Sequence, residues 1–176
     1  MHNTQNEDLL QHTVECAFIA HYLAIIGNRY FGKKYDVDKL TVCALFHDTA
    51  EVFTGDLPTP VKYFNNDMRN VYRQIEHAAS EKLKDNLPPD LRSDYAVYLD
   101  ENNLSDDERK LIKIADKLCA YIKCISELNA GNNEFQSAYI ATQRQIENFK
   151  SDELKYFLDN CLASFSLSLD ELKGTL

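Results

Sequence analysis

The chain has 176 residues, a net charge of −9 and 27% charged residues. This length and composition are typical of one soluble globular domain, which we assign to residues 1–176, with enough chain to bury a substantial core. The acidic charge and the lack of a basic run argue against binding to nucleic-acid polymers and anionic membranes. Five scattered cysteines without a CxxC pair argue against disulfides and zinc knuckles and favour a reducing cytoplasm.

Apolar residues recur with helical spacing along the chain, and no segment alternates convincingly like a strand. The longest apolar run, in the first helix, is broken by His21 and is too short to span a bilayer. A capping box at Ser105 opens a long helix that ends near Asn129. The other predicted helices cover about 7–26, 37–53, 66–85, 91–99, 134–149 and 151–162. The predicted fold is an all-α, single-domain helical bundle.

The histidines differ in the faces that they occupy. His12 has apolar residues one turn away on both sides, so it can face the core. His21 is rotated by about 180° from His12 at ~100° per residue, so the two cannot share a site on one straight helix. Its apolar neighbours favour a core or interhelical position. His77 has polar neighbours and is predicted to face solvent.

The second predicted helix carries polar residues on the face that should meet the core. With Asp36 as its N-cap, it is predicted to continue without a break to Phe53 and to end at Gly55. A carboxylate on a core-facing stripe is costly unless a cation meets it. The last three residues of this stripe are therefore candidate functional residues. The stripe follows the i, i+3, i+4, i+7 rule and contains Leu40, Cys43, Ala44, His47, Asp48 and Glu51.

Asp116 repeats this anomaly in the long helix that follows Ser105. Lys113 and Lys117 could neutralise it through a salt bridge, and this alternative stays open. A shared cation is the simpler account, because two mid-helix aspartates and two inward-facing histidines occur together. Four side chains offer the two nitrogen and two oxygen donors that suit a divalent transition metal: His12, His47, Asp48 and Asp116.

Glu51 lies one turn beyond the His-Asp pair. It could be a fifth ligand, a salt-bridge partner or the group that relays protons for metal-bound water. We favour proton relay, because four donors already serve the metal. In the following loop, which contains one Gly and two Pro, Asp56 and Thr59 suit the binding of sugar hydroxyls or phosphate. An ordinary helix-ending turn capped by Asp56 is equally compatible with the sequence.

These residues resemble those of a known family. His12, the pair His47-Asp48 and the later Asp116 follow the His…His-Asp…Asp pattern of the HD-domain metal-dependent phosphohydrolases. The segment FHDTAEVFTGDLPTPVKYF resembles the signature of the bacterial HD-domain 5′-deoxynucleotidases. The resemblance extends over nearly the whole chain. Three further segments carry it: 114–124, 127–135 and 164–170.

The resemblance implies an all-helical, homodimeric enzyme that hydrolyses deoxyribonucleoside 5′-monophosphates to deoxynucleoside and phosphate. It gives Glu51 the role of catalytic acid/base. It implies one divalent ion, such as cobalt or manganese, on four ligands: His12, His47, Asp48 and Asp116. Substrate contacts are implied for two of these ligands and for the loop: Asp48, Asp116, Asp56, Leu57, Pro58 and Thr59.

The resemblance is incomplete before the first ligand histidine. Family members usually have an Arg-Trp pair there, in which Arg orients the phosphate and Trp senses the missing 2′-hydroxyl. Eleven residues precede His12, the chain has no Trp, and Gln11 stands where the family has Glu. Either this sequence starts late and the pair lies upstream of it, or this member lacks the phosphate- and sugar-sensing half of its pocket. In both cases we expect the metal half of the pocket to be complete.

Two alternatives remain open from the sequence. The first is an HD-domain phosphohydrolase that acts on another small phosphomonoester. The second is a binding protein that retains the metal without turnover, which the missing Arg-Trp pair favours and the retained Glu51 disfavours. A di-iron oxygenase would need more inward-facing histidines than the two identified.

Overall fold

The computed structural model describes residues 2–4, 7–55, 62 and 64–166. These residues form α-helices joined by turns and short 3-10 segments, and they contain no strand. The prediction of an all-α protein is confirmed. The helices are α1 (Leu9–Tyr30), α2 (Val37–Phe46), α3 (Glu51–Thr54), α4 (Asn66–Asp85), α5 (Arg92–Leu99), α6 (Asp106–Asn129), α7 (Gln136–Glu147) and α8 (Asp152–Asn160). The 3-10 segments are Glu101–Asn103, Asn133–Phe135 and Leu162–Ser166.

Side-chain caps explain where most of these helices begin. Ser105 and Glu108 form the predicted capping box at the start of α6, and Asp8 and Gln11 form another at α1. Each box satisfies backbone N–H groups that the first turn leaves without a helical partner. Single side chains cap three further helices: Asp36 on α2, Asn65 on α4 and Ser151 on α8.

The predicted continuous helix over 37–53 is wrong. α2 ends at Phe46, and a turn separates it from α3. In this turn, Thr49 N donates to Phe46 O at 3.1 Å and Glu51 N donates to Asp48 O at 2.8 Å, both i→i+3 bonds. The Thr49 hydroxyl also donates to Phe46 O, at 2.6 Å, and so competes with the helical ladder. The pair His47-Asp48 therefore lies in a turn at the end of a helix.

α1 continues to Tyr30, beyond the end predicted near Gly27. Gly27 serves packing there, because a Cβ on it would lie 2.6 Å from the Tyr35 ring. Tyr35 in turn donates its hydroxyl to the buried Glu153 at 3.0 Å. The prediction that α1 ends near Gly27 is therefore wrong. The helix ends just before Gly32, which has a φ of 64° and suits a residue without a Cβ.

The core lies between α1, α2, α6 and α8. Its fully buried large side chains include Leu23, Leu40, Leu118 and Phe157. α1 packs along both α2 and α6. Because these three helices carry or border the predicted metal ligands, the tightest packing in the protein also positions the site.

All five cysteines are free, and four of them are buried. By length and composition alone, α1 could cross a membrane. In the protein, however, 44% of its most apolar 18-residue window is buried. A single buried core helix of this kind is weak support for a membrane span.

Candidate active site

Four side chains from α1, the α2–α3 turn and α6 meet beside the core. His12 Nε2 lies 3.4 Å from Asp48 Oδ2 and 3.4 Å from Asp116 Oδ1. His47 Nε2 lies 3.1 Å from Asp48 Oδ2. Ligand atoms of His12, His47 and Asp48 lie within 4.8 Å of one another, and Asp116 joins them through His12. The structure thus brings together all four residues predicted as ligands, called here the His–Asp cluster.

His47 is oriented as a metal ligand would be. Its Nδ1 lies 2.8 Å from the Ala44 carbonyl oxygen, and because a carbonyl can only accept, Nδ1 carries the proton. Nε2 is buried and makes no hydrogen bond among the described residues. Because Nε2 lies only 3.1 Å from an Asp48 oxygen, the pair suits a shared cation, either a proton or a metal ion. With two nitrogen and two oxygen donors, the cluster fits a divalent transition metal.

Electrostatics in the cluster favour a bound cation. Asp116, then Asp48 and Glu7, raise the pKa of His12 to about 12. Burial alone would raise the pKa of Asp48, but the neighbouring imidazoles of His12 and His47 hold it well below its usual range. Burial would also raise the pKa of Asp116, but His12 and Lys117 lower it. Both aspartates therefore stay ionised, and a proton on His12 offsets part of their negative charge when no metal is bound.

Glu7 supports His12 from behind the cluster. Its Oε1 lies 3.6 Å from His12 Nδ1, and its other oxygen contacts Lys123. His12 and Lys123 together lower the pKa of Glu7 to about 2, against the effect of burial. A carboxylate on the remote ring nitrogen turns the other nitrogen toward a metal. Sequence reasoning missed this contact, because residues five apart are not neighbours on a continuous helix.

The alternative salt bridge at Asp116 is also present. Lys117 Nζ lies 2.9 Å from Asp116 Oδ2, while Oδ1 of the same carboxylate faces His12. Lys113 is exposed and pairs with no acid among the described residues. Each carboxylate oxygen therefore has its own cationic neighbour, and the salt bridge does not remove Asp116 from the cluster.

Glu51 is held close to the cluster. Its side chain is 9% exposed, and its Oε1 lies 3.7 Å from Lys62 Nζ. Lys62 also pairs with Glu76 of α4 at 2.8 Å. Glu51 is therefore a salt-bridge partner of Lys62, as one of the alternatives from the sequence proposed. This contact holds its carboxylate in place.

A cavity of about 620 Å³ opens in front of the cluster. Its size lies within the usual range of about 300–1,000 Å³ for small-molecule sites. Its lining includes His47, Asp48, Glu51 and Asp116. It also includes the basic wall, a stripe of α4 residues three or four apart: Arg69, Arg73, His77, Ser80 and Lys84.

Sequence reasoning missed the basic wall. His77 is exposed, as predicted, but its face borders the cavity rather than open solvent alone. The signal was the recurrence of basic residues on one face of α4 in an acidic chain. His21, predicted in the core or between helices, is only half-buried. The predicted substrate loop lies outside the described residues: Asp56, Leu57, Pro58 and Thr59.

An all-α bundle with a His…His-Asp…Asp cluster beside a cavity is the architecture of the HD-domain phosphohydrolases. A solved HD-domain phosphohydrolase from Listeria innocua is similar over 98% of this chain and 83% of its own chain, with a TM-score of 0.82 and 25% identity. The PH0347 protein of Pyrococcus horikoshii OT3 is similar over 93% of this chain and 84% of its own chain, with a TM-score of 0.67 and 26% identity.

The particular family follows from a closer sequence match. The model of the YfbR-like 5′-deoxynucleotidases matches residues 1–165, and the chain belongs to this family. It is 45% identical over 172 residues to a 5′-deoxynucleotidase of Enterobacter sp. (strain 638) and to 5′-deoxynucleotidase YfbR of Escherichia coli (strain K12 / DH10B). Each match covers 98% of this chain and 86% of the relative. The prediction of a 5′-deoxynucleotidase of the HD-domain class is confirmed.

Proposed function

We propose that the chain, as one HD domain over residues 1–176, hydrolyses deoxyribonucleoside 5′-monophosphates to deoxynucleoside and phosphate. The observation that carries this proposal is that three residues of the His–Asp cluster and Glu51 line one nucleotide-sized cavity. The names of its relatives describe the same activity.

One divalent ion, such as manganese or cobalt, is held by the cluster: His12, His47, Asp48 and Asp116. When bound, such an ion supplies Lewis-acid chemistry that activates water and neutralises charge on phosphoryl oxygens. Asp48 and Asp116 also lie at the cavity and so border the phosphate. His47 keeps a fixed ring orientation through its bond to Ala44.

Glu51 moves the proton of the reaction. It accepts a proton from the attacking water and returns one to the leaving O5′ of the nucleoside. Its low exposure and its contact with Lys62 hold it at the cavity wall, where a transferred proton is sheltered from bulk water. The loop residues Asp56, Leu57, Pro58 and Thr59 contact the nucleotide, with Asp56 near the sugar.

The experiment is a phosphate-release assay on the purified chain with Mn²⁺ or Co²⁺. Matched deoxyribonucleoside and ribonucleoside 5′-monophosphates are compared, together with unrelated small phosphomonoesters. We expect turnover of the deoxy substrates, loss of turnover with a chelator and recovery when metal is restored. Equal rates on a ribonucleotide and its deoxy counterpart would reject the deoxynucleotidase assignment.

The protein acts as a cytoplasmic homodimer in this proposal, as the resemblance implies. In support, α1 exposes apolar side chains on one stripe, of which Leu10 and Phe18 are 74% and 72% exposed. Exposed apolar patches of this kind often mark interfaces between proteins. Light scattering during size-exclusion chromatography tests the dimer, and Phe18→Ser is expected to shift it toward monomer. A wild-type monomer at assay concentrations would contradict it.

A further inference from the structure

The cavity concentrates positive charge in an acidic protein. Six of the 19 Lys and Arg residues line it. Three have acidic partners: Lys62 with Glu76, Lys84 with Glu81 and Lys117 with Asp116. The other three take part in no ion pair or hydrogen bond of their side chains with any residue that the structure describes: Arg69, Arg73 and Lys113.

These three cations lie on two helices that line the same cavity as the proposed reaction centre. Arg69 and Arg73 are one turn apart on α4, so they share the cavity face. Arg73 is also one turn from Glu76, whose partner Lys62 reaches Glu51. Lys113 lies three residues before Asp116 on α6, and both line the cavity. Both α4 and α6 thus bring to the cavity positive charge that has no acidic partner in the part of the chain that the structure describes.

The charge balance of the site requires such groups. A divalent ion in the His–Asp cluster is matched by the two negative charges of Asp48 and Asp116. A phosphate monoester adds nearly two more negative charges at pH 7, since its second pKa is about 6. Lys62 and Lys117 are already paired with carboxylates. The cavity cations without a partner among residues 2–4, 7–55, 62 and 64–166 are therefore the groups available to neutralise the ligand.

We propose that Arg69, Arg73 and Lys113 form an anion subsite that holds the 5′-phosphate of the nucleotide against the His–Asp cluster. The proposal rests on the proposed function, because it takes the nucleotide as the ligand. The planar guanidinium groups of the two arginines suit two-pronged hydrogen bonding to phosphate, and Lys113 adds a point charge. The subsite binds the ground state of the substrate and so determines KM more than kcat.

The test uses the full chain loaded with Mn²⁺ and the variants Arg69→Gln, Arg73→Gln and Lys113→Gln. We expect each arginine change to raise the KM for thymidine 5′-monophosphate by about tenfold, as for loss of one charge-assisted hydrogen bond. The inhibition constant of inorganic phosphate rises in parallel, while kcat changes by less than about threefold. Inhibition by thymidine, which lacks phosphate, stays at the wild-type level.

Two control variants remove the same charges outside the cavity. Lys82→Gln lies on α4 but does not line the cavity, and Arg144→Gln lies on α7. Both are expected to behave as wild type. Calorimetric Mn²⁺ affinity and thermal midpoints of all variants report whether the cluster and the fold are intact. Arg73→Lys keeps the positive charge but loses the planar guanidinium group. It is expected to retain part of the phosphate affinity that Arg73→Gln loses.

The experiment can reject the anion subsite without rejecting the proposed nucleotidase function. Wild-type KM and phosphate inhibition in the Arg69 and Arg73 variants overturn the subsite, even if the nucleotidase activity is real. Equal weakening of thymidine and its monophosphate also overturns it, because the loss is then unrelated to phosphate. If the wild type hydrolyses no nucleotide, calorimetry with inorganic phosphate decides: weaker binding in the three variants supports the subsite, and unchanged or absent binding rejects it.

Discussion

The two sides of the cavity are built in different ways. The His–Asp cluster stands on helices whose neighbouring side chains are fully buried, such as Cys16, Ala44 and Ala115. The basic wall belongs to α4, a helix of 20 residues that buries only Tyr72 and Ala79. Close packing fixes the cluster to within narrow geometric limits, whereas the wall is exposed and its long side chains can adapt to a ligand. Substitutions in the His–Asp cluster should therefore abolish metal binding or turnover. Substitutions in the basic wall should instead reduce the affinity for the ligand.

The largest effect is expected at Asp116. We expect Asp116→Ala to lower kcat/KM by at least about 1,000-fold, since it removes a ligand charge and leaves the protonated His12 with one carboxylate fewer. Calorimetry should also show weakened Mn²⁺ binding. The control is Asp107→Ala, an exposed aspartate of the same helix that pairs with Lys33. Normal metal affinity and normal turnover in the Asp116 variant would remove it from the proposed ligands.

Glu51→Gln is expected to separate proton transfer from metal binding. It should lower kcat by about 100- to 10,000-fold, the usual contribution of a general acid or base, and leave Mn²⁺ affinity unchanged. Phosphate release and calorimetry measure the two quantities on the same preparation.

The matched variant is Glu76→Gln, which removes the other carboxylate held by Lys62. If Glu51 acted only as a salt-bridge partner, both variants would lose similar activity. We expect the Glu76 variant to retain at least about a third of the wild-type kcat. A strong loss of Mn²⁺ affinity in the Glu51 variant would instead make it a metal ligand.

The sequence predicted the cluster because its polar residues interrupt apolar stripes. Asp48 and Asp116 stood out against buried neighbours, and burying a carboxylate without a cation is unfavourable. The same reasoning could not find the basic wall, because polar residues are expected on the exposed face of α4. Only the tertiary fold, in which residues of α4 and α6 line one cavity, turned that solvated face into a cavity wall.

The misjudged helix ends have local physical causes. The turn at 47–50 depends on the side-chain bond from Thr49 to Phe46, and helical spacing alone does not reveal that competition. Gly27 looked like a helix-ending glycine, but its role is set by Tyr35, eight residues later. Caps with explicit side-chain chemistry were predictable, and Ser105 with Glu108 lies where the sequence indicated.

A small substitution in the core is expected to change the free energy of unfolding more than one on the basic wall. Gly27→Ala places a Cβ 2.6 Å from the Tyr35 ring and is expected to lower the free energy of unfolding by about 1–3 kcal/mol. Ser80→Ala on the basic wall is expected to change it by less than about 0.5 kcal/mol. Urea denaturation of the metal-free protein compares them. Equal stabilities would show that the Tyr35 ring moves aside.

The cluster and the basic wall are also expected to differ in how their ligand affinities depend on pH. Asp116, Asp48 and Glu7 raise the pKa of His12 to about 12 in the metal-free protein, whereas a metal binds the neutral imidazole. Metal binding must therefore release about one proton, and Mn²⁺ affinity should rise about tenfold per pH unit from pH 7 to 8.5. Phosphate affinity of the loaded protein should change little from pH 8 to 8.5, because arginine stays protonated there and the second ionisation of phosphate is complete.

Calorimetry in two buffers with different ionisation enthalpies counts the released proton directly. The exposed His77 provides the control, since His77→Gln should leave the proton count unchanged. His12→Gln should remove both the proton release and most of the metal affinity. A pH-independent Mn²⁺ affinity in the wild type would mean that His12 is already neutral before the metal arrives, and the two aspartates would then need another cation in the metal-free state.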